Sequence, residues 1–292
     1  MASRAGWAAV LGLLAPGCAT ESQSQWELVW RDEFSGTRLD TTRWRLTEDC
    51  WGGGNAERQC YGADAVRMAD GILTITARSE VTRGSAQPDG RGATVARNFS
   101  SGQISTRGRA AWQDCRIRVR ARLPQGQGMW PAIWMLPETH QRGVSPLTGE
   151  IDIAEAVNLL AACEGCAGGR EHRILGALHF AEPGGSRERS GAVALEDPTA
   201  FHIYEVEWSQ AAITWRIDGR TFHRVESRAW RKAENRPFSQ PYHLILNLAV
   251  GGRWPERENE KGIDGRALPA TMAVDWVRVY RASDPDPLAL RL

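Results

Sequence analysis

The sequence has almost no net charge and few long apolar runs. Its 292 residues hold 36 Lys and Arg against 35 Asp and Glu, a formal charge of +1. No whole-chain field therefore attracts nucleic acid or an anionic membrane. Beyond the first residues no apolar run approaches the length of a membrane-spanning helix. From Trp26 to about Arg281 there is no linker, internal repeat or long amphipathic helical pattern, which argues against a helical or two-domain protein.

The first residues have the pattern of an export signal. Residues 1–18 carry one positive charge, then a short apolar run, then small residues. The tetrapeptide Ala15-Pro16-Gly17-Cys18 resembles a bacterial lipobox except for its proline. We therefore expect an exported protein, either free or lipid-anchored through Cys18 in the bacterial periplasm or outer membrane, with a short linker at 19–25. A disordered start or a buried helix is the alternative.

The six cysteines fit an oxidising compartment. Cys50 and Cys60 bracket a glycine-rich turn and are predicted to form a disulfide. Cys163 and Cys166 have C-x-x-C spacing, but no second pair completes a zinc site, so a local disulfide is favoured. Cys115 is predicted to be a free, packed thiol.

Short segments of alternating polarity recur along the chain, as expected for β-strands. The segments are 71–77, 115–123, 202–208, 213–217 and 273–280. Many short strands over about 250 residues predict an all-β jelly roll, a sandwich of two antiparallel sheets. Residues 26–281 form the predicted folded domain and 282–292 a tail. The arginines that alternate along 116–122 are interpreted as the solvent-facing side of a strand and not as a surface that binds a polyanion.

Three acids stand within six residues at Glu150, Asp152 and Glu155, separated by apolar neighbours. On a regular strand Glu155 would face away from Glu150, but a β-bulge at Ile153-Ala154 returns it to the same side. Two leaning side chains could then bring their carboxyls to roughly 5–5.5 Å, the separation of a retaining glycosidase. Glu150 would be the nucleophile, Asp152 its orienting partner and Glu155 the acid/base. A water-exposed acidic face and a calcium site are the alternatives; calcium would favour Asn, Asp and Gly at loop spacing.

The chain resembles glycoside hydrolase family 16, in the bulged form of laminarinases, through motifs spread over most of its length. These motifs are 149–158 and 30–36, 51–57, 126–137, 176–180, 247–255 and 274–280. The resemblance implies a jelly roll with an open concave cleft and a retaining double displacement on β-glucan, with no cofactor for catalysis. It also implies that His179 lies beside the acid/base, and that Asn55, Arg58 and Asn247 contact sugar. A structural calcium ion on Glu33, the Gly71 carbonyl and Asp275 is a further implication.

Tryptophan is unusually abundant, with 13 residues. A pyranose packs its C–H face on an indole ring, so a glucan cleft needs exposed tryptophans. We assign Trp130, Trp134, Trp254 and Trp112 to the cleft; Trp208, Trp215 and Trp276 alternate within strands and are predicted to be core.

Two departures from the family pattern are Cys115 and the charged stretch 255–269. The expected protein is a monomeric endo-β-1,3-glucanase that binds no nucleic acid. A mixed-linkage glucan or galactan (agarose or carrageenan) hydrolase, a non-catalytic β-glucan-binding protein and a transglycosylase remain alternatives.

Overall fold

A computed structural model describes residues 26–139, 149–182, 185–230, 233 and 237–283. The predicted leader 1–18 with Cys18, the linker 19–25 and most of the tail 282–292 lie outside the described residues. Within the described part, no helix has the length and apolarity needed to cross a bilayer.

The described residues form β-strands joined by loops and single turns of 3₁₀ helix. The strands are β1 (Trp26–Asp32), β2 (Arg45–Leu46), β3 (Gln59–Tyr61), β4 (Val66–Ala69), β5 (Ile72–Ser85), β6 (Thr94–Ser101), β7 (Gln103–Ser105), β8 (Cys115–Arg122), β9 (Met129–Pro137), β10 (Glu150–Glu155), β11 (Arg173–Glu182), β12 (Gly185–Ala194), β13 (His202–Trp208), β14 (Ala212–Ile217), β15 (Arg220–Glu226), β16 (Tyr242–Val250) and β17 (Ala270–Ala282). The 3₁₀ turns are Ala63–Ala65, Pro88–Gly90, Ala167–Gly169, Ser227–Ala229 and Gly265–Ala267.

The strands form two sheets, which confirms the predicted all-β sandwich. A ten-stranded sheet has the order β15-β14-β13-β8-β17-β5-β6-β3, with β1 beside β17 and β4 beside β5. A seven-stranded sheet has the order β12-β11-β10-β9-β16-β7-β2. The pairing is antiparallel as predicted except between β3 and β6, which run parallel. Parallel neighbours need a long connection, and the chain between these two strands supplies one through β4 and β5.

The hydrophobic core lies between the two sheets and contains alternate residues of each strand. In β10, Ile151 and Ile153 are 0% and 1% exposed, so these two side chains face the core. Of the tryptophans predicted to be core, Trp208 and Trp215 belong to it, whereas Trp276 is buried beneath the Arg118 and Arg278 guanidinium groups on the outer face of its sheet. The alternate positions of the seven-stranded sheet are therefore left for its outer face.

The arginines of β8 lie on the outer face of the ten-stranded sheet, where carboxylates and aromatic rings neutralise or cover them. Arg116 and Arg118 pair with Glu205, Arg120 pairs with Asp275, and Arg122 lies over the Phe201 ring. This arrangement supports the interpretation as a solvated strand face, because the guanidinium charges already have partners.

The cysteines adopt the pairing that the sequence suggests. Disulfides join Cys50 to Cys60 and Cys163 to Cys166. Cys115 is a free, buried thiol, and burial raises its pKa to about 12, which makes it unreactive at neutral pH.

Candidate active site

The predicted bulge is present in β10. Against β9, Asp152 pairs with Trp134 while Ala154 pairs with Ile133, so two steps on β10 match one step on β9. The register with β11 shifts over the same residues. One extra residue therefore reverses the side-chain alternation after Asp152 and turns Glu155 to the face that carries Glu150.

A tryptophan from the opposite sheet holds the bulge from the core side. The indole Nε1 of Trp215, in β14, donates a buried hydrogen bond of 2.7 Å to the backbone oxygen of Asp152. The ring can approach because β11 has a glycine here: a methyl group on Gly176 would overlap the Trp215 ring. The carbonyl of Asp152 thus has a partner across the sandwich, and the two sheets are joined at the acid cluster.

The three acids lie in a cleft that crosses the outer face of the seven-stranded sheet. The cleft has a volume of about 620 Å³ and receives side chains from β2, β7, β16, β9, β10, β11 and β12. The predicted site residues that line it are Asn55, Trp130, Trp134, Glu150, Asp152, Glu155, His179, Asn247 and Trp254. The structure therefore brings together residues separated by about two hundred positions in the sequence.

Glu150, Asp152 and His179 form a compact group. One nitrogen or oxygen atom from each lies within 4.8 Å of the others, and His179 Nε2 is 3.2 Å from Asp152 Oδ2. Asp152 is only 1% exposed, whereas Glu150 is half-buried at the floor of the cleft. The imidazole thus sits beside the carboxyl that separates the two glutamates.

Burial and mutual repulsion favour the protonated forms of all three acids. Burial, followed by repulsion from Asp152, raises the pKa of Glu150 well above its usual range. Burial and the negative charge of Glu188 raise the pKa of Asp152 to about 8. Burial and the charge of Asp152 also raise the pKa of Glu155 to about 8. The three carboxyls therefore titrate as a coupled set that retains protons at neutral pH.

Two tryptophans flank Glu155. Trp130 Nε1 donates a hydrogen bond of 3.0 Å to Glu155 Oε1. The Trp254 ring meets the Trp130 ring edge to face, with centroids 5.5 Å apart. The indole that orients the carboxyl is thus also part of an aromatic wall of the cleft.

Trp134 begins a chain of buried hydrogen bonds along the cleft floor. Its Nε1 donates to Asn247 Oδ1 at 2.7 Å, and Asn247 Nδ2 donates to the Tyr61 hydroxyl at 3.1 Å. The Tyr61 hydroxyl in turn donates to Glu57 Oε2 at 3.2 Å. Burial raises the pKa of Glu57. These bonds fix the orientation of the Trp134 ring.

Two residues predicted to contact substrate, Arg58 and Trp112, lie outside the cleft lining. Arg58 does not line the cleft; its guanidinium forms a two-point ion pair with Glu256, at 2.6 and 2.9 Å. Its neighbour Glu57 lines the cleft instead. Trp112 also lies outside the cleft: its backbone pairs with Tyr242 and its ring packs against Trp30 at 5.2 Å.

Several residues of the cleft were not predicted from the sequence. The additional polar, charged and aromatic lining residues are Arg45, Thr47, Trp51, Glu57, Tyr61, Gln103, Ser105, Arg107, Glu188 and His243. Trp51 and Glu57 belong to a motif that the sequence analysis quotes, so the signal for them was present. Arg45 and Gln103 lie on strands of two and three residues, too short for alternation to show which face they occupy.

The residues expected to hold calcium do not fit a cation site. Both carboxylate oxygens of Glu33 accept hydrogen bonds of 2.9 Å from Arg278. Asp275 is paired with Arg120. The positive charge of a guanidinium beside each carboxylate opposes a cation at the same place, so the pairing of these two acids argues against the calcium set that includes Gly71.

A comparison with known families decides the identity of the domain. The family model described as the β-porphyranase A–D GH16 domain matches residues 26–282, nearly the whole described part. The chain belongs to glycoside hydrolase family 16.

Relatives within family 16 are similar over most of this chain. A β-glucanase of Rhodothermus marinus is 36% identical over 277 residues, which cover 90% of this chain and 87% of that protein. A glucan endo-1,3-β-glucosidase of Cryptopygus antarcticus is 34% identical and covers 83% of this chain and 86% of its own length. The X-ray structure of the Rhodothermus marinus laminarinase superposes with a TM-score of 0.72 at 37% identity, covering 89% of this chain and 98% of that one. The family 16 jelly roll predicted from the sequence is confirmed.

Proposed function

We propose that this family 16 chain is a retaining endo-β-1,3-glucanase. The observation that carries the proposal is the bulge in β10, which places Glu150, Asp152 and Glu155 on one face beneath a cleft walled by tryptophan. Similarity to an endo-1,3-β-glucosidase and to a laminarinase supports the choice of glucan. The predicted carboxyl separation of a retaining enzyme is part of this proposal.

The first chemical step would form a glycosyl-enzyme ester. The ionised carboxylate of Glu150 attacks the anomeric carbon while the glycosidic C–O bond breaks, and Glu155 gives its proton to the departing oxygen. The raised pKa of Glu155 keeps that proton available at neutral pH. Asp152 holds the proton that it shares with Glu150, so the nucleophile can carry the negative charge.

The second step would return the enzyme to its starting state. Glu155, now ionised, takes a proton from water, and the resulting hydroxide attacks the anomeric carbon. The ester bond to Glu150 breaks and Glu155 is protonated again. Two inversions leave the product with the configuration of the substrate.

Incubation of the purified protein with laminarin, lichenan, agarose, carrageenan and porphyran tests the proposal. We expect oligosaccharides of several lengths from laminarin, with the β-anomer appearing first in a proton NMR time course. If laminarin yields no reducing ends, or if the α-anomer appears first, the proposal fails.

Hydrolysis of an algal galactan is a second candidate because the matching family model is described by β-porphyranases. Arg45 and Arg107 line the cleft, and guanidinium groups are suited to sulfate substituents on such a polymer. Glu188, at the β12 side, would repel them. Reducing ends from porphyran or agarose, with none from laminarin, would favour this candidate.

We propose in addition that the chain is exported and acts as a monomer, with Cys18 as the point of lipid attachment. The two disulfides support export, because such bonds persist in oxidising compartments. Mass spectrometry of the N-terminal peptide from the native host separates signal cleavage from acylation at Cys18.

A further inference from the structure

The charged segment at which the sequence departs from the family pattern forms a loop beside the cleft. We call residues 253–262, which follow β16, the tryptophan loop. It carries Trp254 into the cleft wall against Trp130, and Glu256 into the ion pair with Arg58. Most of its side chains are exposed, yet its backbone is held from beneath by polar side chains that are themselves buried.

Gln127 is the first of these anchors. Its side chain is 3% exposed although it lies in a connection between strands. Its Nε2 donates to the backbone oxygens of Pro255, at 3.1 Å, and Gly262, at 3.0 Å. Its Oε1 accepts from the backbone N–H of Glu260 at 3.3 Å. One amide therefore closes both ends of the tryptophan loop.

Asn158 is the second anchor and is fully buried. Its Nδ2 donates to the Pro255 oxygen at 3.0 Å and to Asn259 Oδ1 at 2.9 Å. Its Oδ1 accepts from the N–H of Gly128 at 2.7 Å. Asn158 adopts a φ of 57°, a left-handed conformation that asparagine tolerates better than most residues.

Glu171 is the third anchor, at 2% exposure. Its Oε2 accepts from Asn259 Nδ2 at 3.3 Å, and its carboxylate forms a two-point pair with Arg173. Burial alone would raise the pKa of Glu171, but the hydrogen bonds from Arg173 outweigh it and lower the pKa to about 2. The Cys163–Cys166 disulfide packs against the same oxygen, with both sulfurs 3.9 Å away.

The anchors connect the tryptophan loop to the catalytic strands. Gln127 precedes Trp130 by three residues, and Asn158 follows Glu155 by three. The backbone that carries the acid/base and its indole partner therefore also carries the groups that hold the loop. Any displacement of the anchors would move Trp254 relative to Trp130. Glu150 and Asp152 lie toward the start of β10, farther in sequence from Asn158 than Glu155 is.

We propose that Gln127, Asn158 and Glu171 are positioning residues that hold the tryptophan loop so that Trp254 stands against Trp130 and completes a sugar-binding wall. The proposal rests on the proposed glucanase function and deepens it: the anchors set the affinity for glucan through Trp254 and leave bond cleavage unchanged. In a surface loop without anchors, water could form the hydrogen bonds that these backbone groups need. Holding the loop therefore explains why polar amide and carboxylate groups are buried beneath it.

Asn259→Ala tests the proposal from the loop side, where folding is least at risk. The substitution removes the bonds to both Asn158 and Glu171. We expect KM for laminarin oligosaccharides to rise about five- to tenfold, the effect of losing one or two buried hydrogen bonds, with kcat within twofold of the parent. Glu260→Ala, an exposed position of the same loop, is the matched control and should leave both constants unchanged.

Proteolysis provides a readout that does not need activity. Lys261 lies in the loop, and Lys232 is the only other lysine of the sequence. Endoproteinase Lys-C should cut after Lys261 at least fivefold faster in Asn259→Ala than in the parent or in Glu260→Ala, with the cut after Lys232 as the internal reference. If the parent cleaves no glucan, the proposed function fails, and this measurement still decides whether the anchors hold the loop.

A coupled variant shows whether the anchors act through Trp254. Adding Asn259→Ala to Trp254→Ala should raise KM no further, because the group being positioned is already absent. An additional increase of fivefold or more would overturn the proposal, as would a loss of kcat in Asn259→Ala at constant KM. Unchanged KM and unchanged Lys-C cleavage in Asn259→Ala would overturn it equally.

Discussion

Replacing Trp215 with Phe tests whether the hydrogen bond across the sandwich fixes the catalytic bulge. The change keeps a buried aromatic ring and removes the indole N–H that donates to the backbone oxygen of Asp152. That oxygen would remain buried without its indole partner, at a free-energy cost of about 1–3 kcal/mol. The bulge can relieve this cost by shifting, and such a shift would displace Glu155 from Glu150.

The expected result is a fall in kcat on laminarin. If the full cost appears in the transition state, 1–3 kcal/mol corresponds to a decrease of roughly five- to two-hundredfold, with KM changing less than threefold. Steady-state kinetics measures this effect, and urea unfolding of the same samples measures the free energy of unfolding.

Trp208→Phe is the matched control. Trp208 lies on the neighbouring strand at 1% exposure, and its Nε1 has no hydrogen-bond partner among the described residues. Both substitutions shrink a buried indole, so both should lower stability by a similar cavity cost. If kcat falls equally in the two variants, or in neither, the hydrogen bond from Trp215 does not position the acids and the reasoning is wrong.

Three further predictions concern the acid cluster. Glu150→Gln should abolish turnover while glucan still quenches tryptophan fluorescence; residual turnover above one per cent would contradict the nucleophile assignment. Glu155→Ala should still cleave aryl glycosides with good leaving groups, and added azide should accelerate this reaction and yield the β-glycosyl azide; no acceleration would argue against the acid/base role. Activity should fall as pH rises through about 8, where Glu155 loses its proton, and Trp130→Phe should move this limb to higher pH because the lost hydrogen bond favours the ionised carboxyl. A limb that moves to lower pH would refute the last assignment.

Local patterns were sufficient to predict five of the strands, β5, β8, β13, β14 and β17, and the bulge in β10. Alternation identifies which residues of β8 and β10 face the core, and the odd spacing of Glu155 demands one extra residue if it is to act with Glu150. Both inferences depend on neighbours in sequence, where the geometry of an extended chain has few options.

Contacts between distant segments could not be predicted from the sequence. The choice between Glu57 and Arg58 for the cleft depends on the irregular segment before β3, where strand alternation does not apply, and Trp112 is covered by Trp30, about eighty residues earlier. The bond from Trp215 to Asp152 joins different sheets. No periodicity marks such partners, because the fold and not the local chain brings them together.

The cleft takes its lining from all seven strands of one sheet, but the acids come from a single strand. Each remaining strand supplies only one to four side chains, drawn from positions between Arg45 and Trp254. Exchange of β2 or β7 with the corresponding strand of a relative would therefore alter recognition of one stretch of the polymer, because neither strand supplies a group that contacts the three acids. Substitutions on one strand at a time can therefore change which polysaccharide is preferred, while the three acids stay unchanged.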